Sequence, residues 1–238
     1  MSPFASPPVI VGHRGAPRTA PENTVASYRA AVSQGAAWIE VDARRSHDDV
    51  VVLCHDARLS DGRAVVDLDA DELAVGGVPR LDEVLEGLPA GIGVDVELKN
   101  LPGEPDHDPA LPLVALAAEV VRASAPRPLL LSSFDGQALS RARDLLPTVP
   151  TGFLYGGGLG AEPAASLAQE LGAGVLCPPV SVPLDAEAVA AVHGLDLALL
   201  VWTVNDATTA VALAAAGVDA LCTDVPGELA AALGPARC

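Results

Sequence analysis

The chain has 238 residues, of which half are hydrophobic, and a formal net charge of −17 at pH 7. A chain of this length can bury a large core, and it suits one barrel-sized domain better than two small ones. The negative charge disfavours a nucleic-acid backbone or an anionic membrane surface as a partner, because both repel an acidic protein at long range. An anionic substrate would therefore need a local positive site.

No composition shift or linker divides the sequence, so we expect a single domain over 1–238 with a small insert at 57–80. The first residues have neither the basic nor the apolar segment of a secretion signal, and no later stretch has the composition of a membrane helix. We therefore expect a cytoplasmic protein without stable membrane association, either as a monomer or as a homo-oligomer. The four cysteines lack short paired spacing, and we assign them no chemistry.

The first predicted element is a short buried strand at 9–12, which His13 and Arg14 follow directly. A loop rich in proline comes next and leads into a helix that Asn23 or Thr24 can cap. A basic residue directly after a histidine at a strand end favours the binding of an anion. A surface ion pair is the alternative for Arg14.

A predicted hairpin follows and carries two carboxylates. Glu40 and Asp42 alternate with apolar residues, so both side chains point to one face of an extended strand. The polar cluster 46–49 then turns the chain back into a β-branched run that ends at His55. This hairpin would bring His55 level with Asp42, beside a site for a cation, which is suitable for metal-assisted acid/base chemistry. A surface hairpin with solvated charges is the alternative.

Beyond the insert, a short amphipathic helix at 81–86 precedes a plain alternation of strands and Ala-rich helices. The strands are predicted at 93–99, 129–133, 151–154, 174–177, 197–203 and 218–222. With the strands that begin at Val9 and Ala37 they give eight βα units, which predicts a TIM (β/α)8 barrel with a β-hairpin and a short insert after strand 2. A doubly wound open sheet is the alternative, but it normally carries a Gly-rich phosphate loop after an early strand.

In such a barrel the active site lies at the C-terminal ends of the strands. The strand at 93–99 carries Asp95, Glu97 and Lys99 on one face, and burying these charges unpaired would be prohibitive. A divalent cation held by Glu97 together with Glu40 and Asp42 satisfies the charges. Carboxylate ligands favour Mg²⁺ or Ca²⁺ over Zn²⁺.

Three other residues have candidate roles around this site. Glu22 either serves as an acid in the first turn of a helix or orients Arg14 or His13. Trp202 and Asn205 could line the pocket with an aromatic wall and an amide.

Three further histidines lack comparable neighbours and are interpreted as turn, loop or helix-end residues: His47, His107 and His193. Residues 106–108 read Asp-His-Asp and could mimic a metal cluster, but their Pro-rich, acidic loop favours solvated side chains.

Short motifs occur in a fixed order along nearly the whole chain. In order, they are Gly-His-Arg-Gly at 12–15, Pro-Glu-Asn-Thr at 21–24, Ile-Glu-Val-Asp at 39–42, Val-Leu-Cys-His-Asp at 52–56, Val-Pro-Arg-Leu-Asp-Glu-Val-Leu at 78–85, Val-Glu-Leu-Lys at 96–99, Ser-Ser-Phe at 132–134, Val-Trp-Thr-Val-Asn at 201–205 and Thr-Asp at 223–224. Each motif alone is weak evidence, but their order and spacing are strongly specific, and together they resemble the glycerophosphodiester phosphodiesterase family.

The resemblance implies a TIM barrel and the metal-dependent hydrolysis of a glycerophosphodiester to sn-glycerol 3-phosphate and an alcohol. It implies one divalent ion, Mg²⁺ or Ca²⁺ with Mn²⁺ as a further choice, and a small-molecule phosphodiester as the partner. The implied residues are the acid/base pair His13 and His55, the metal ligands Glu40, Asp42 and Glu97, and the phosphate-binding Arg14 and Lys99. Two departures are Asp49, where the family usually has glycine, and the short insert, which the resemblance places over the mouth of the barrel.

Other functions remain open at this point. A related phospholipase D-like phosphodiesterase would act on lysophospholipids. Lys99 inside a barrel could instead form a Schiff base with a carbonyl substrate, although neighbouring carboxylates would hold its ammonium charged. A binding protein that had lost catalysis should lack one of the histidines or metal carboxylates, and this sequence lacks none of them.

Overall fold

The computed structural model of the protein describes residues 2–4 and 8–234. Its strands are β1 Val9–Gly12, β2 Trp38–Arg45, β3 Val51–Leu53, β4 Gly93–Leu98, β5 Leu129–Ser133, β6 Thr151–Leu154, β7 Val175–Cys177, β8 Ala198–Val201 and β9 Ala220–Thr223. Its helices are α1 Val25–Ser33, α2 Ala70–Val75, α3 Leu81–Gly87, α4 Pro112–Ala123, α5 Gly136–Leu145, α6 Ala161–Glu170, α7 Ala186–His193, α8 Ala207–Ala216 and α9 Pro226–Leu233, with a 3₁₀ turn at Val65–Asp67.

The sheet closes into a ring. β1 pairs in parallel with both β2 and β9, and the remaining parallel strands follow between them in the order β4 to β8. β3 lies outside the ring and pairs with β2 in the antiparallel direction. The prediction of a TIM barrel with a hairpin after the second strand is therefore confirmed. The strand predicted at 197–203 is shorter and ends at Val201.

Polar side chains start the helices close behind the strands. Thr24 accepts a hydrogen bond from Ser27 N, so it caps α1 and Asn23 does not. Asp135 and Asp206 cap α5 and α8 in the same way. Each capped helix returns the chain to the other end of the barrel, which makes the next strand parallel to the last.

Alternation along β2 separates two kinds of core. Ile39 and Val41 belong to the apolar layer between the sheet and the helices. Trp38 packs with apolar residues inside the barrel, whereas Glu40 lines a cavity nearer the C-terminal ends of the strands. The interior is therefore apolar at one end and charged at the other, because the inward residues of a single strand change character along its length.

The hairpin turn contains a residue in the left-handed region. Asp49 has φ 61°, at the position where we noted that the family usually has glycine. Aspartate is one of the few non-glycine residues that adopt this conformation routinely. The register pairs Ala43 with Leu53, and Cys54 N donates to Asp42 O at 2.9 Å. His55 thus lies one residue beyond the position opposite Asp42.

The segment 57–80 forms a small core of its own. Val65, Leu68 and Leu73 are buried together with Val52 of β3. The sequence analysis did not predict this core, because the apolar residues of the insert are too widely spaced to stand out. No helix in the described parts of the chain is both long and apolar enough to cross a membrane.

We expect Gly93→Ala to lower the free energy of unfolding by about 1–3 kcal/mol, the usual cost of overpacking a core. Gly93 lies opposite Trp38 in the β2–β4 register, and a Cβ atom there would lie 2.2 Å from the indole ring. Gly91→Ala is the matched control, since a Cβ atom at that position meets nothing within 4 Å. Urea unfolding measures both variants. Equal midpoints for the two would contradict the proposed clash.

Candidate active site

The C-terminal ends of the strands surround a cavity of about 230 Å³. Of the residues that the sequence predicted for the site, those that line it are His13, Arg14, Glu40, His55, Glu97, Lys99 and Trp202. Asp42 is buried against this group, with 1% of its surface exposed. Glu22 and Asn205 are not part of the cavity lining. Glu22 accepts a hydrogen bond from Arg14, and Asn205 donates one to Asp224.

Three buried carboxylates converge at the cavity. Glu40, Asp42 and Glu97 each offer an oxygen, and these oxygens lie within 4.8 Å of one another. Glu40 Oε1 is buried and has no hydrogen-bond partner within residues 2–4 and 8–234. Buried carboxylate oxygens in such a cluster fit a hard divalent cation, which takes oxygen ligands. The predicted metal ligands therefore form a group that could hold a metal ion.

The electrostatics of these carboxylates differ. Burial raises the pKa of Glu40 well above its ordinary value, and the charges of Asp42 and Glu97 raise it further. Burial acts in the same direction on Asp42, but Lys99 and Arg14 outweigh it and lower the pKa of Asp42 to about 2. Burial also raises the pKa of Glu97 despite the opposing charge of Lys99. Glu40 is thus the carboxylate that most lacks a compensating positive charge.

Two cations contact the carboxylates. Lys99 Nζ lies 2.8 Å from Asp42 Oδ1 and also donates to Glu97 Oε1. Arg14 donates its backbone N–H to Glu40 Oε2 at 2.8 Å, and its Nε lies 3.2 Å from Asp42 Oδ2. Arg14 Nη1 lies 3.1 Å from both carboxylate oxygens of Glu22. The cavity therefore brings two cations together with the carboxylates, and each cation is paired with at least one of them.

His13 is held from behind by a carboxylate. Its Nδ1 lies 2.7 Å from Asp224 Oδ1, and Asn205 Nδ2 donates to Asp224 Oδ2 at 2.6 Å. Burial acts to raise the pKa of Asp224, but the hydrogen bonds from His13 and Asn205 lower it below the ordinary value. Since a carboxylate only accepts, Nδ1 carries the proton and Nε2 remains available. Asn205, which we expected to line the pocket, directs its amide to Asp224.

His55 has a similar arrangement. Its Nδ1 lies 2.7 Å from Asp56 Oδ1, which again leaves Nε2 available. This carboxylate belongs to the next residue in the chain and is 77% exposed, whereas the Asp224 side chain is 20% exposed. The two histidines on the cavity wall are thus matched in chemistry and differ in how firmly their carboxylates are held.

Asn23 has a role in the site that the sequence did not reveal. Its Nδ2 donates to Asp42 Oδ2 at 2.7 Å, and its Oδ1 accepts hydrogen bonds from Asp42 N and from the Tyr28 hydroxyl. We considered it only as a helix cap. Asn23 has φ 53°, a left-handed conformation that asparagine tolerates, and no pattern in the sequence separated this role from that of Thr24.

The loop that follows β4 also differs from expectation. The Asp106 side chain is 3% exposed and lies 2.6 Å from Arg44 Nη1, so the prediction that residues 106–108 are solvated is wrong for this side chain. The same loop places Leu101 on the cavity wall. The cavity lining includes no described residue of 57–80, whereas the resemblance implied that the insert covers the mouth.

Comparison with known proteins agrees with this geometry. The model of the glycerophosphoryl diester phosphodiesterase family matches residues 13–228. A glycerophosphodiester phosphodiesterase of Caldanaerobacter subterraneus is 27% identical, over 93% of this chain and 96% of its own length. A solved phosphodiesterase from Oleispira antarctica, in complex with the product sn-glycerol-3-phosphate, is 29% identical with a TM-score of 0.81, over 95% of this chain and 96% of that one.

A solved glycerophosphodiester phosphodiesterase from Agrobacterium tumefaciens is 27% identical with a TM-score of 0.74, over 94% of this chain and 99% of that one. The sequence match extends across the strand ends that carry the cavity residues, and the structural match extends over nearly the whole barrel. The chain therefore belongs to the glycerophosphoryl diester phosphodiesterase family of enzymes.

Proposed function

We propose that the protein hydrolyses glycerophosphodiesters to sn-glycerol 3-phosphate and an alcohol in a metal-dependent reaction. The observation that carries the proposal is the meeting of a buried carboxylate cluster, two cations and two carboxylate-bound histidines at one cavity. The product bound to the Oleispira antarctica neighbour supports the choice of substrate.

The buried carboxylates would hold the metal: Glu40, Asp42 and Glu97 offer the oxygens, and Mg²⁺, Ca²⁺ or Mn²⁺ would suit them. When bound, such an ion neutralises phosphate charge and polarises the phosphorus–oxygen bonds. Arg14 and Lys99 take up the remaining negative charge of the phosphate. A bound metal ion together with these two cations would let an acidic protein accept an anionic substrate.

The histidines divide the proton transfers. Asp224 and Asp56 fix the Nδ1–H of His13 and His55, so each ring presents Nε2 to the cavity. One Nε2 removes a proton from the attacking hydroxyl, and the other donates a proton to the leaving alkoxide. Trp202 lies on the cavity wall, and Phe134 meets it edge to face, which gives the substrate an apolar side to pack against.

A panel of diesters assayed with each metal tests the proposal. We expect glycerophosphodiesters to release sn-glycerol 3-phosphate in the presence of Mg²⁺, Ca²⁺ or Mn²⁺, and we expect excess EDTA to abolish the release. Faster turnover of lysophospholipids would favour the phospholipase D-like alternative. Activity that survived EDTA, with a substrate adduct trapped by borohydride, would overturn the proposal in favour of a Schiff-base reaction at Lys99.

A further inference from the structure

Arg44 is a buried residue near the end of β2. It follows Asp42 by two residues on β2, so its side chain points to the same face of the strand as Glu40 and Asp42. Only 1% of its surface is exposed. A guanidinium buried to this extent is tolerated only where fixed partners replace its water.

The partners of Arg44 lie in two separate loops. Towards the end of the hairpin, Nε donates to the main-chain oxygens of Cys54 and His55 at 3.1 and 2.9 Å, and Nη2 donates to His55 O at 2.6 Å. Towards the loop after β4, Nη1 donates to Glu104 at 2.9 Å and to Asp106 at 2.6 Å. The guanidinium group therefore connects the loop that carries His55 with the loop that carries Leu101.

Other contacts hold His55 only weakly. β3 ends at Leu53, and the bond from Cys54 N to Asp42 O lies before His55 in the chain. The imidazole binds Asp56, but this exposed pair can contribute little, because water and salt screen it. After His55, the next backbone bond runs from Val65 N to Ala57 O at 2.9 Å, so within the described residues the hydrogen bonds from Arg44 are the ones that fix the His55 carbonyl oxygen itself.

We propose that Arg44 is a positioning residue, which fixes His55 for proton transfer by holding its main-chain carbonyl. Glu104 and Asp106 hold the guanidinium in turn, so the loop after β4 supports the placement of a histidine that precedes it by about fifty residues. The inference rests on the proposed role of His55 in hydrolysis. A displacement of about 1 Å at a reacting group can lower a rate roughly 10²-fold, which sets the expected size of the effect.

The first variant is Arg44→Lys, which keeps a positive charge. Its single ammonium group cannot replace the planar guanidinium that donates hydrogen bonds to both loops at once. We expect kcat for a glycerophosphodiester to fall about 10- to 100-fold, with KM and metal affinity within about threefold of wild type. Arg45→Lys is the matched control. Arg45 points to the other face and pairs with Asp49 at the hairpin turn, so its replacement should leave kcat unchanged.

Two further measurements distinguish positioning from general support of the fold. The double variant Glu104→Gln/Asp106→Asn keeps Arg44 and nearly the same side-chain volumes, and we expect a smaller loss of kcat in the same direction. If Arg44→Lys does not fold, the double variant tests the positioning role in its place. In Arg44→Ala, added guanidinium ion should restore part of kcat, which a loss of folding alone would not allow.

The side-chain NMR signals of His55 give a readout that does not depend on activity. They should shift in Arg44→Lys and remain in place in Arg45→Lys, even if wild type does not hydrolyse the diester, so failure of the proposed function and failure of this inference are separable. Wild-type kcat in both Arg44→Lys and the double variant would overturn the inference. So would a loss of metal affinity as large as the loss of kcat.

Discussion

His55→Ala is expected to lower kcat by about 10²- to 10⁴-fold while the affinity for the divalent metal stays nearly unchanged. His55 lies on the cavity wall, but its Nδ1 binds Asp56, and it is outside the cluster of three carboxylates. Removal of the imidazole would therefore remove a proton-transfer group and leave the oxygen ligands in place. Steady-state kinetics and titration calorimetry with Mg²⁺, Ca²⁺ and Mn²⁺ measure the two effects separately.

Glu40→Gln and Glu97→Gln should act first on the affinity for the metal, whereas His55→Ala acts on kcat. Each replaces a charged ligand oxygen, so we expect metal affinity to fall by more than the roughly 10- to 100-fold that loss of an outer partner costs. His47→Ala is a control for histidine removal, because His47 lies at the hairpin turn with 70% of its side chain exposed. If His55→Ala lost the metal as completely as Glu97→Gln, His55 would be a ligand and its acid/base role would be wrong.

The barrel was predictable because it depends on local patterns. Short apolar strands, Ala-rich helices and caps such as Asp206 recur at regular spacing, and the alternation along β2 and β4 places Glu40 and Glu97 on the inner face. Because β2 and β4 are parallel neighbours, these positions lie close together whatever the details of side-chain packing. The registers Glu40 with Asp95 and Asp42 with Glu97 show how directly the two strands align their acids.

The contacts that hold the histidines were not predictable in the same way. Asp224 lies 211 residues from His13, and Asp106 lies 62 residues from Arg44, so no local period relates them. A sequence pattern indicates the face on which a side chain lies, but the partner depends on loop conformation. Asn205 shows the consequence, because it follows a strand as predicted but does not line the cavity, and its amide is bound to Asp224.

The chemistry of attack depends on whether the cavity offers a protein nucleophile. Ser132 and Cys222 both line it. Burial raises the pKa of the Cys222 thiol well above its ordinary value, so the thiolate is scarce. The Ser132 hydroxyl donates to Asp95, and burial raises the pKa of that acid to about 8, so at neutral pH it is mostly protonated and little carboxylate is present to accept the serine proton. A hydroxyl of the substrate or water is therefore the better nucleophile.

A glycerophosphodiester without the glycerol 2-hydroxyl should bind normally and turn over at least about a thousandfold more slowly. The 2-hydroxyl lies beside the phosphate, and ring closure to a five-membered cyclic phosphate can benefit from an effective molarity of about 10⁵ M or more. One histidine would deprotonate this hydroxyl, the other would protonate the leaving alcohol, and water would then open the cyclic ester. Stopped assays compare kcat and binding for the native and deoxy diesters, with Ser132→Ala as a control that should retain activity toward the native diester. Comparable kcat values for the two diesters would exclude attack by the substrate hydroxyl, and loss of activity in Ser132→Ala would reassign the nucleophile to the protein.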